Sequence, residues 1–134
     1  MKSPRTGYLQ VSPYLYYADA DAAIDWLTKS FGFTLRSAFR GPDGRALHAE
    51  LQVGAGGVIL IGPGMAPFGT RAVQDPDAVH AGLYVYVEDI ASHFARVKAC
   101  GAVIRSEIQE KPQGDLMYAA SDPQGQRWYF AQPK

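Results

Sequence analysis

The sequence predicts an α+β protein of two βαβββ modules whose strands form a curled mixed sheet around a cleft. Its 134 residues are enough for one domain with a real core. Its two halves repeat one another at an offset of about 70 residues, and each half contains a β-rich run, an amphipathic helix and further short strands. We predict one domain over residues 1–134. Module one lies at about 8–61, a linker at about 62–79 and module two at about 80–132.

The internal repeat keeps both residue types and their order. Because its offset is about half the chain length, it indicates two copies of one unit rather than a solenoid of many repeats. The matched pairs are Asp19 with Asp89, Ile24 with Phe94, Leu27 with Val97, Gly32 with Gly101, Arg36 with Arg105, Pro42 with Pro112, and Gly44 with Gly114.

The first module is predicted to contain a strand, a helix and three further strands. Asp19 is a typical N-cap and Gly32 a typical left-handed C-terminal residue, so a helix is expected between them. The turns are expected at residues rich in Gly and Pro. The strands are predicted at residues 11–17, 33–40, 46–53 and 58–61, and the turns at 41–44 and 54–57.

The second module repeats this order. A strand at residues 83–87 precedes a helix that Asp89 caps and Gly101 ends. A tight turn at residues 122–125 leads to the last strand at 127–131.

Alternation along the strands separates a side that packs under a helix from a helix-free side. Trp26, Trp128 and Phe130 are assigned to the core, whereas His93 on the second helix is expected to be solvated. If the sheets curl toward each other, the helix-free sides form a concave surface for a planar or aromatic ligand. Its predicted ligand-binding residues are Tyr14, Tyr16, His48, Glu50, Tyr84, Tyr86, Tyr118 and Tyr129. The alternative is that the tyrosines are ordinary strand residues.

His48 and Glu50 are the candidate catalytic pair. They stand two residues apart on one strand, so they project to the same side about 7 Å apart. With His80 as a third donor they would form a metal site, and by themselves they could act as a general base. A hydrogen bond between them, or from a tyrosine to Glu50, is favoured because two donors are too few for a metal.

The charge balance and the cysteine content indicate which partners and which cellular compartment to expect. Lys plus Arg and Asp plus Glu number 13 each, for a net charge of zero, so neither nucleic acid nor a membrane surface is an expected partner. No apolar run is long enough for a membrane span, and the first seven residues do not resemble a secretory signal. The lone Cys100 suits a reducing compartment, and a cytoplasmic location is expected.

Four stretches of the sequence resemble the vicinal oxygen chelate superfamily, which includes glyoxalases, extradiol dioxygenases and bleomycin-binding resistance proteins. The resemblance spans most of the chain, and its most specific part is the closing Asp-Pro-x-Gly-x-x-aromatic pattern. The stretches are residues 19–27, 31–33, 83–89 and 122–130. The resemblance implies paired βαβββ modules around a cleft and a homodimer.

The resemblance also implies where a metal would be held in the enzymes of that superfamily. The corresponding residues are Ser12, Ile59 or Leu60, Ala81 or Gly82, and Tyr129. None is a competent ligand for a divalent ion, which prefers imidazole, thiolate or carboxylate. The loop at residues 110–114 resembles the metal-free, drug-binding branch.

We therefore expect a metal-independent binding protein that sequesters an antibiotic or related small molecule in a tyrosine-lined cleft, with no cofactor. The alternative is a glyoxalase-superfamily enzyme of lyase, isomerase or dioxygenase type, with a non-standard metal or acid/base site at His48 and Glu50. A third alternative is a domain that acts only through protein association.

Overall fold

The computed structural model describes residues 6–134 and divides the chain into two units, with the boundary between Ala72 and Val73. This boundary falls inside the predicted linker; the single domain expected over the whole chain stays a prediction. The elements of the first unit are β1 (Tyr14–Tyr17), α1 (Ala20–Phe31), β2 (Thr34–Arg40), β3 (Ala46–Val53), β4 (Gly57–Pro63) and a short 3₁₀ turn (Ala66–Phe68). Those of the second unit are β5 (Gly82–Tyr86), α2 (Ile90–Ala99), β6 (Val103–Glu110), β7 (Asp115–Ser121) and β8 (Arg127–Pro133).

Each unit contains one four-stranded mixed sheet, and the two sheets have the same topology. The strand order is β1-β4-β3-β2 in the first unit and β5-β8-β7-β6 in the second. The first and last strands of each unit run parallel, and the other neighbours run antiparallel. These matching orders confirm the two predicted βαβββ modules.

Both helices begin where the sequence predicts, and α1 also ends there, whereas the C-cap of α2 is Cys100, one residue before the predicted Gly101. The Asp19 carboxylate accepts a hydrogen bond from the backbone N–H of Ala22, and Asp89 accepts the equivalent bond from Ser92. These bonds satisfy N–H groups that have no partner within the helix. Gly32 ends α1 in the left-handed region with φ 79°. None of the helices in the described residues is long and apolar enough to cross a membrane.

In each unit the helix covers one face of the sheet, and the core of that unit lies between its helix and its sheet. In the first unit Leu27 of α1 and Leu51 and Ile61 of the sheet are completely buried. In the second unit Val97 of α2 and Trp128 of β8 are likewise completely buried. The opposite surface of each sheet is called its helix-free face below.

The predicted alternation along β3 fails at Leu47. Ala49 and Leu51 are buried under α1 as expected, but Leu47 is exposed and Ala46 is buried. The reason is a β-bulge: consecutive residues of β2 pair with His48 and then with Ala46, so that Leu47 is left unpaired.

The turn before β8 explains the most specific pattern in the sequence. One Asp122 carboxylate oxygen accepts hydrogen bonds from the backbone N–H groups of Gln124 and Gln126, and the other accepts from the Trp128 indole at 3.1 Å. Gly125 has a positive φ of 92°. The turn therefore ties the β7–β8 hairpin to the core through Trp128, a predicted core residue.

Candidate ligand-binding site

Two tyrosines of β1 lie on the helix-free face of the first sheet, as predicted. Tyr14 and Tyr16 alternate along the strand with buried residues, which places their rings on the same side. The two rings stack with their centroids 5.1 Å apart and their planes 27° apart. The His48 imidazole lies beside Tyr14, with ring centroids 5.6 Å apart.

His48 and Glu50 belong to a chain of hydrogen bonds on this face. His48 Nε2 lies 3.3 Å from Glu50 Oε1, and His48 Nδ1 lies 3.0 Å from the Tyr14 hydroxyl. Because a carboxylate only accepts, Nε2 donates to Glu50; in the tautomer with its single proton on Nε2, Nδ1 accepts from the Tyr14 hydroxyl. Glu50 is only 6% exposed and also accepts a hydrogen bond from the Tyr8 hydroxyl. The chain thus runs from Tyr14 through His48 and Glu50 to Tyr8.

Burial, together with the neighbouring Tyr16, raises the pKa of Tyr14 above its ordinary value. The Tyr14 hydroxyl therefore keeps its proton at neutral pH. Its donor role toward His48 is consistent with this protonation state.

Arg36 holds the segment that carries Tyr8 against the helix-free face. Its guanidinium stands over the Tyr8 ring, 4.3 Å from the centroid, and donates to the carbonyl of Gly7 at 2.8 Å. It also donates to the side-chain oxygen of Gln52 at 3.2 Å. Neither Tyr8 nor Arg36 was predicted as a site residue, because Tyr8 lies before β1, where strand periodicity carries no information.

The tyrosines of the second unit converge on a carboxylate. Tyr84 and Tyr86 both donate to Oδ2 of Asp115, at 2.8 and 3.1 Å. Their rings meet edge to face with centroids 5.6 Å apart. Asp115 is only 8% exposed, whereas Tyr84 and Tyr86 are 43% and 60% exposed. Their hydroxyls are thus fixed while much of each ring is left uncovered.

Tyr129 lies beside Tyr84 on the same face. The two residues are partners across the parallel β5–β8 pair, and their rings are 25° from parallel with centroids 6.3 Å apart. A Cβ atom at Gly82 would lie 2.6 Å from Tyr129 Cε2, so the glycine leaves the space that this ring occupies.

The environment of Tyr84 and Tyr86 keeps both phenols protonated. Burial, followed by the hydrogen bond to Asp115, raises the pKa of Tyr84 above its ordinary value. For Tyr86 the hydrogen bond to Asp115 is the larger cause of the raised pKa. Both hydroxyls therefore remain donors at neutral pH.

The prediction that Tyr118 lies on the helix-free face is wrong. Tyr118 pairs with Phe130 across the β7–β8 hairpin, and opposite residues share a face, so it lies on the core side with no exposed surface. His93 of α2, expected to be solvated, is half-buried: its Nδ1 lies 2.6 Å from the Tyr118 hydroxyl and its ring contacts Phe130.

Asp115 is the acidic residue that the sequence analysis missed. It starts β7, on the face opposite Tyr118, because side chains alternate along a strand. The predicted turn at residues 122–125 could have placed Asp115 correctly. A hairpin closed by that turn pairs Tyr118 with Phe130 on the core side, which puts Asp115, three residues before Tyr118, on the helix-free face.

Comparison with known proteins assigns the chain to a family. Residues 7–130 match the family model described as Glyoxalase/Bleomycin resistance protein/Dioxygenase superfamily. The chain belongs to this superfamily. An uncharacterized protein of Mycobacterium bovis, Mb0911c, is 30% identical over an alignment of 131 positions that covers 92% of this chain and 82% of that protein.

Two crystal structures have a fold similar to that of this chain. TioX from Micromonospora sp. ML1 is 30% identical, with a TM-score of 0.71 over 95% of this chain and 100% of TioX. TnmS3, an antibiotic binding protein from Streptomyces sp. CB03234, is 19% identical, with a TM-score of 0.71 over 95% of this chain and 100% of TnmS3.

The residues of this chain do not fit the metal site found in enzymes of the superfamily. Leu60 and Tyr14 are partners across β1 and β4, and Gly82 and Tyr129 lie side by side on the second sheet. Leucine, glycine and tyrosine are not among the imidazole, thiolate and carboxylate ligands that a divalent ion prefers. In residues 6–134 no three His, Cys, Asp or Glu side chains lie together as a possible metal site.

Proposed function

We propose that this protein is a metal-independent binding protein for a small planar or aromatic molecule, which contacts the exposed tyrosines on the helix-free face of the second unit. The observation that carries the proposal is the state of Tyr84 and Tyr86, whose hydroxyls are fixed by Asp115 while their rings stay substantially exposed. Rings held in place lose little further conformational entropy when a ligand stacks on them. Tyr129 is a proposed contact on the same face. The helix-free face of the first unit is a separate proposed contact surface, formed by Tyr14, Tyr16, His48 and Glu50.

The superfamily supports a ligand of this class. TnmS3 is described as an antibiotic binding protein, and TioX shares 30% of its residues with this chain. An antibiotic or related planar compound is accordingly the proposed ligand, and a cytoplasmic homodimer is the proposed form of the protein.

An acid/base enzyme is the second candidate, and the Tyr14–His48–Glu50 chain is the observation that favours it. His48 would exchange protons with a bound molecule through Tyr14, which occupies its Nδ1. The raised pKa of Tyr14 opposes that role, because a phenol whose pKa lies far above neutral pH does not readily release its proton there. The binding function is therefore preferred.

Calorimetric titration with a panel of planar aromatic antibiotics tests the binding function. At least one compound is expected to bind with one-site behaviour, and Tyr84→Ala is expected to weaken its binding by about 1–3 kcal/mol. Phe68→Ala is the matched control, because Phe68 is an exposed aromatic residue on the 3₁₀ turn and not on either sheet. No binding by any compound, or equal losses in both variants, would contradict the proposal.

Metal analysis separates the two candidates. Protein purified without chelators is expected to contain no stoichiometric divalent ion, and a chelator is expected to leave ligand affinity unchanged. One bound ion per chain would favour the enzyme instead.

A further inference from the structure

The Asp115 site, defined as Asp115 with Tyr84 and Tyr86, has an unbalanced charge. The carboxylate is more than nine-tenths buried, and both phenols donate to the same oxygen, Oδ2. Within residues 6–134, Oδ1 accepts no hydrogen bond, and no Lys, Arg or His forms an ion pair with Asp115. Buried carboxylates are ordinarily paired with a positive charge, since burial removes most of their hydration. The site has an acceptor oxygen available and no cation.

Three cationic residues of the second unit, Arg105, Lys111 and Lys134, form no ion pair with Asp115. Arg105 pairs with Asp77, and the Lys134 ammonium lies 2.8 Å from Glu110. Lys111 is in the turn before β7, and only its backbone N–H contacts Asp115, by donating to the Asp115 carbonyl at 2.8 Å. The missing positive charge is therefore not supplied by these neighbours.

The rings beside Asp115 have the form that organic cations prefer. Tyr84 and Tyr86 meet edge to face, 66° apart, and both rings keep exposed surface next to the carboxylate. The faces of aromatic rings attract cations electrostatically, most strongly when the cation is partly desolvated, and a substituted ammonium group also makes apolar contacts with them. A carboxylate flanked by two such rings therefore favours a substituted ammonium over a neutral group of the same size.

We propose that the Asp115 site binds a substituted ammonium group of the small-molecule ligand, with Oδ1 facing the cation and the two tyrosine rings contacting its alkyl substituents. This inference rests on the proposed binding function and adds a chemical requirement to the ligand: an aromatic compound with an amine or quaternary ammonium substituent. The planar part of such a ligand would extend toward Tyr129, which lies beside Tyr84.

Benzyltrimethylammonium and benzyl alcohol, titrated at equal ionic strength, test this requirement in the wild-type protein. Two-dimensional NMR of the ¹⁵N-labelled chain is suited to the weak binding expected of such small probes. The cation is expected to bind about tenfold more tightly than the alcohol and to shift the amide signals of Tyr84, Tyr86 and Asp115. Equal affinities would overturn the inference.

The Asp115→Asn variant tests whether the preference for the cation depends on the Asp115 carboxylate. It is expected to lower the affinity for benzyltrimethylammonium about tenfold and to leave the affinity for benzyl alcohol unchanged. Glu110→Gln is the matched control, because it also removes one carboxylate, an exposed one paired with Lys134. Equal losses in the two variants would overturn the inference. If Asp115→Asn is unfolded by circular dichroism, the wild-type comparison alone decides.

These outcomes are distinct from failure of the proposed function. If planar antibiotics bind in the calorimetric panel but the cation shows no advantage over the alcohol, the ammonium requirement is wrong and the binding function stands. If no compound in that panel binds, the binding function itself fails.

Discussion

At the scale of single residues, Tyr118 is a tyrosine that packs in the core of the second unit and does not contribute to the candidate ligand-binding site. Its ring lies between Phe94 and Phe130, with centroids 5.0 and 5.3 Å away, and its hydroxyl shares a hydrogen bond with His93 Nδ1. Burial strongly raises the pKa of this phenol. Tyr118 is thus a stabilising residue and not a ligand contact.

Replacing Tyr118 with Phe separates the two roles. At neutral pH Tyr118→Phe is expected to lower the free energy of unfolding by about 1 kcal/mol, since the hydrogen bond to His93 is lost, and to leave ligand affinity unchanged. Urea unfolding and calorimetric titration measure the two quantities. A large loss of affinity without a loss of stability would contradict this assignment.

The raised pKa of Tyr118 predicts that the free energy of unfolding depends on pH in the alkaline range. A phenol whose pKa is higher in the folded state stabilises the fold fully at pH values below the pKa of the unfolded chain, about 10. That stabilisation is lost as the pH rises from about 10 toward the higher pKa of the folded state, so the free energy of unfolding should fall steadily above about pH 10. Tyr118→Phe should show a shallower fall. An equally steep fall would indicate that other groups cause the loss.

At the scale of elements, Gly62 determines how closely β4 can approach the side chains of the first helix-free face. A Cβ atom there would lie 2.8 Å from the Tyr14 hydroxyl and 3.2 Å from the carbonyl oxygen of Leu47. The carbonyl belongs to the bulged part of β3 and cannot easily move. The glycine therefore allows Tyr14 to reach His48.

Gly62→Ala is expected to lower the free energy of unfolding by about 1–3 kcal/mol, because the added methyl group crowds a filled site. The Tyr14–His48 hydrogen bond should also be disturbed, which the His48 imidazole signals would report by NMR. Gly56→Ala is the control: Gly56 is in the turn before β4, where a Cβ atom meets nothing within 4 Å, and its expected change is below about 0.5 kcal/mol. Equal stability of the two variants would show that β4 adjusts without cost.

At the scale of the whole molecule, some large apolar side chains are strongly exposed. Phe39 lies opposite His48 across β2 and β3, so it shares the face that carries the Tyr14–His48–Glu50 chain. Phe39 is 65% exposed. Apolar surface of this kind is often covered by a partner, which agrees with the proposed homodimer.

Sedimentation equilibrium tests the homodimer directly. The expected mass is twice the chain mass of 14.6 kDa, falling toward a single chain on dilution if the association is weak. A single-chain mass at every concentration would contradict the homodimer and leave the ligand predictions unaffected.

The sequence by itself determined the two βαβββ modules, the starts of both helices and most of the helix-side core. These features depend on local chemistry: Asp19 and Asp89 cap helices, Gly32 ends one, and apolar residues recur at the period of each element. The same local rules correctly placed Tyr14 and Tyr84 on helix-free faces.

Only the tertiary structure decided which polar groups meet. Tyr8 reaches Glu50 across 42 positions of sequence, and Tyr84 reaches Asp115 across 31. The face of Tyr118 depended on the register of the β7–β8 hairpin, and a shift of one residue moves every side chain of a strand to the other face. Register and long-range contact arise from the packing of whole elements, so the periodicity of any one segment does not contain them.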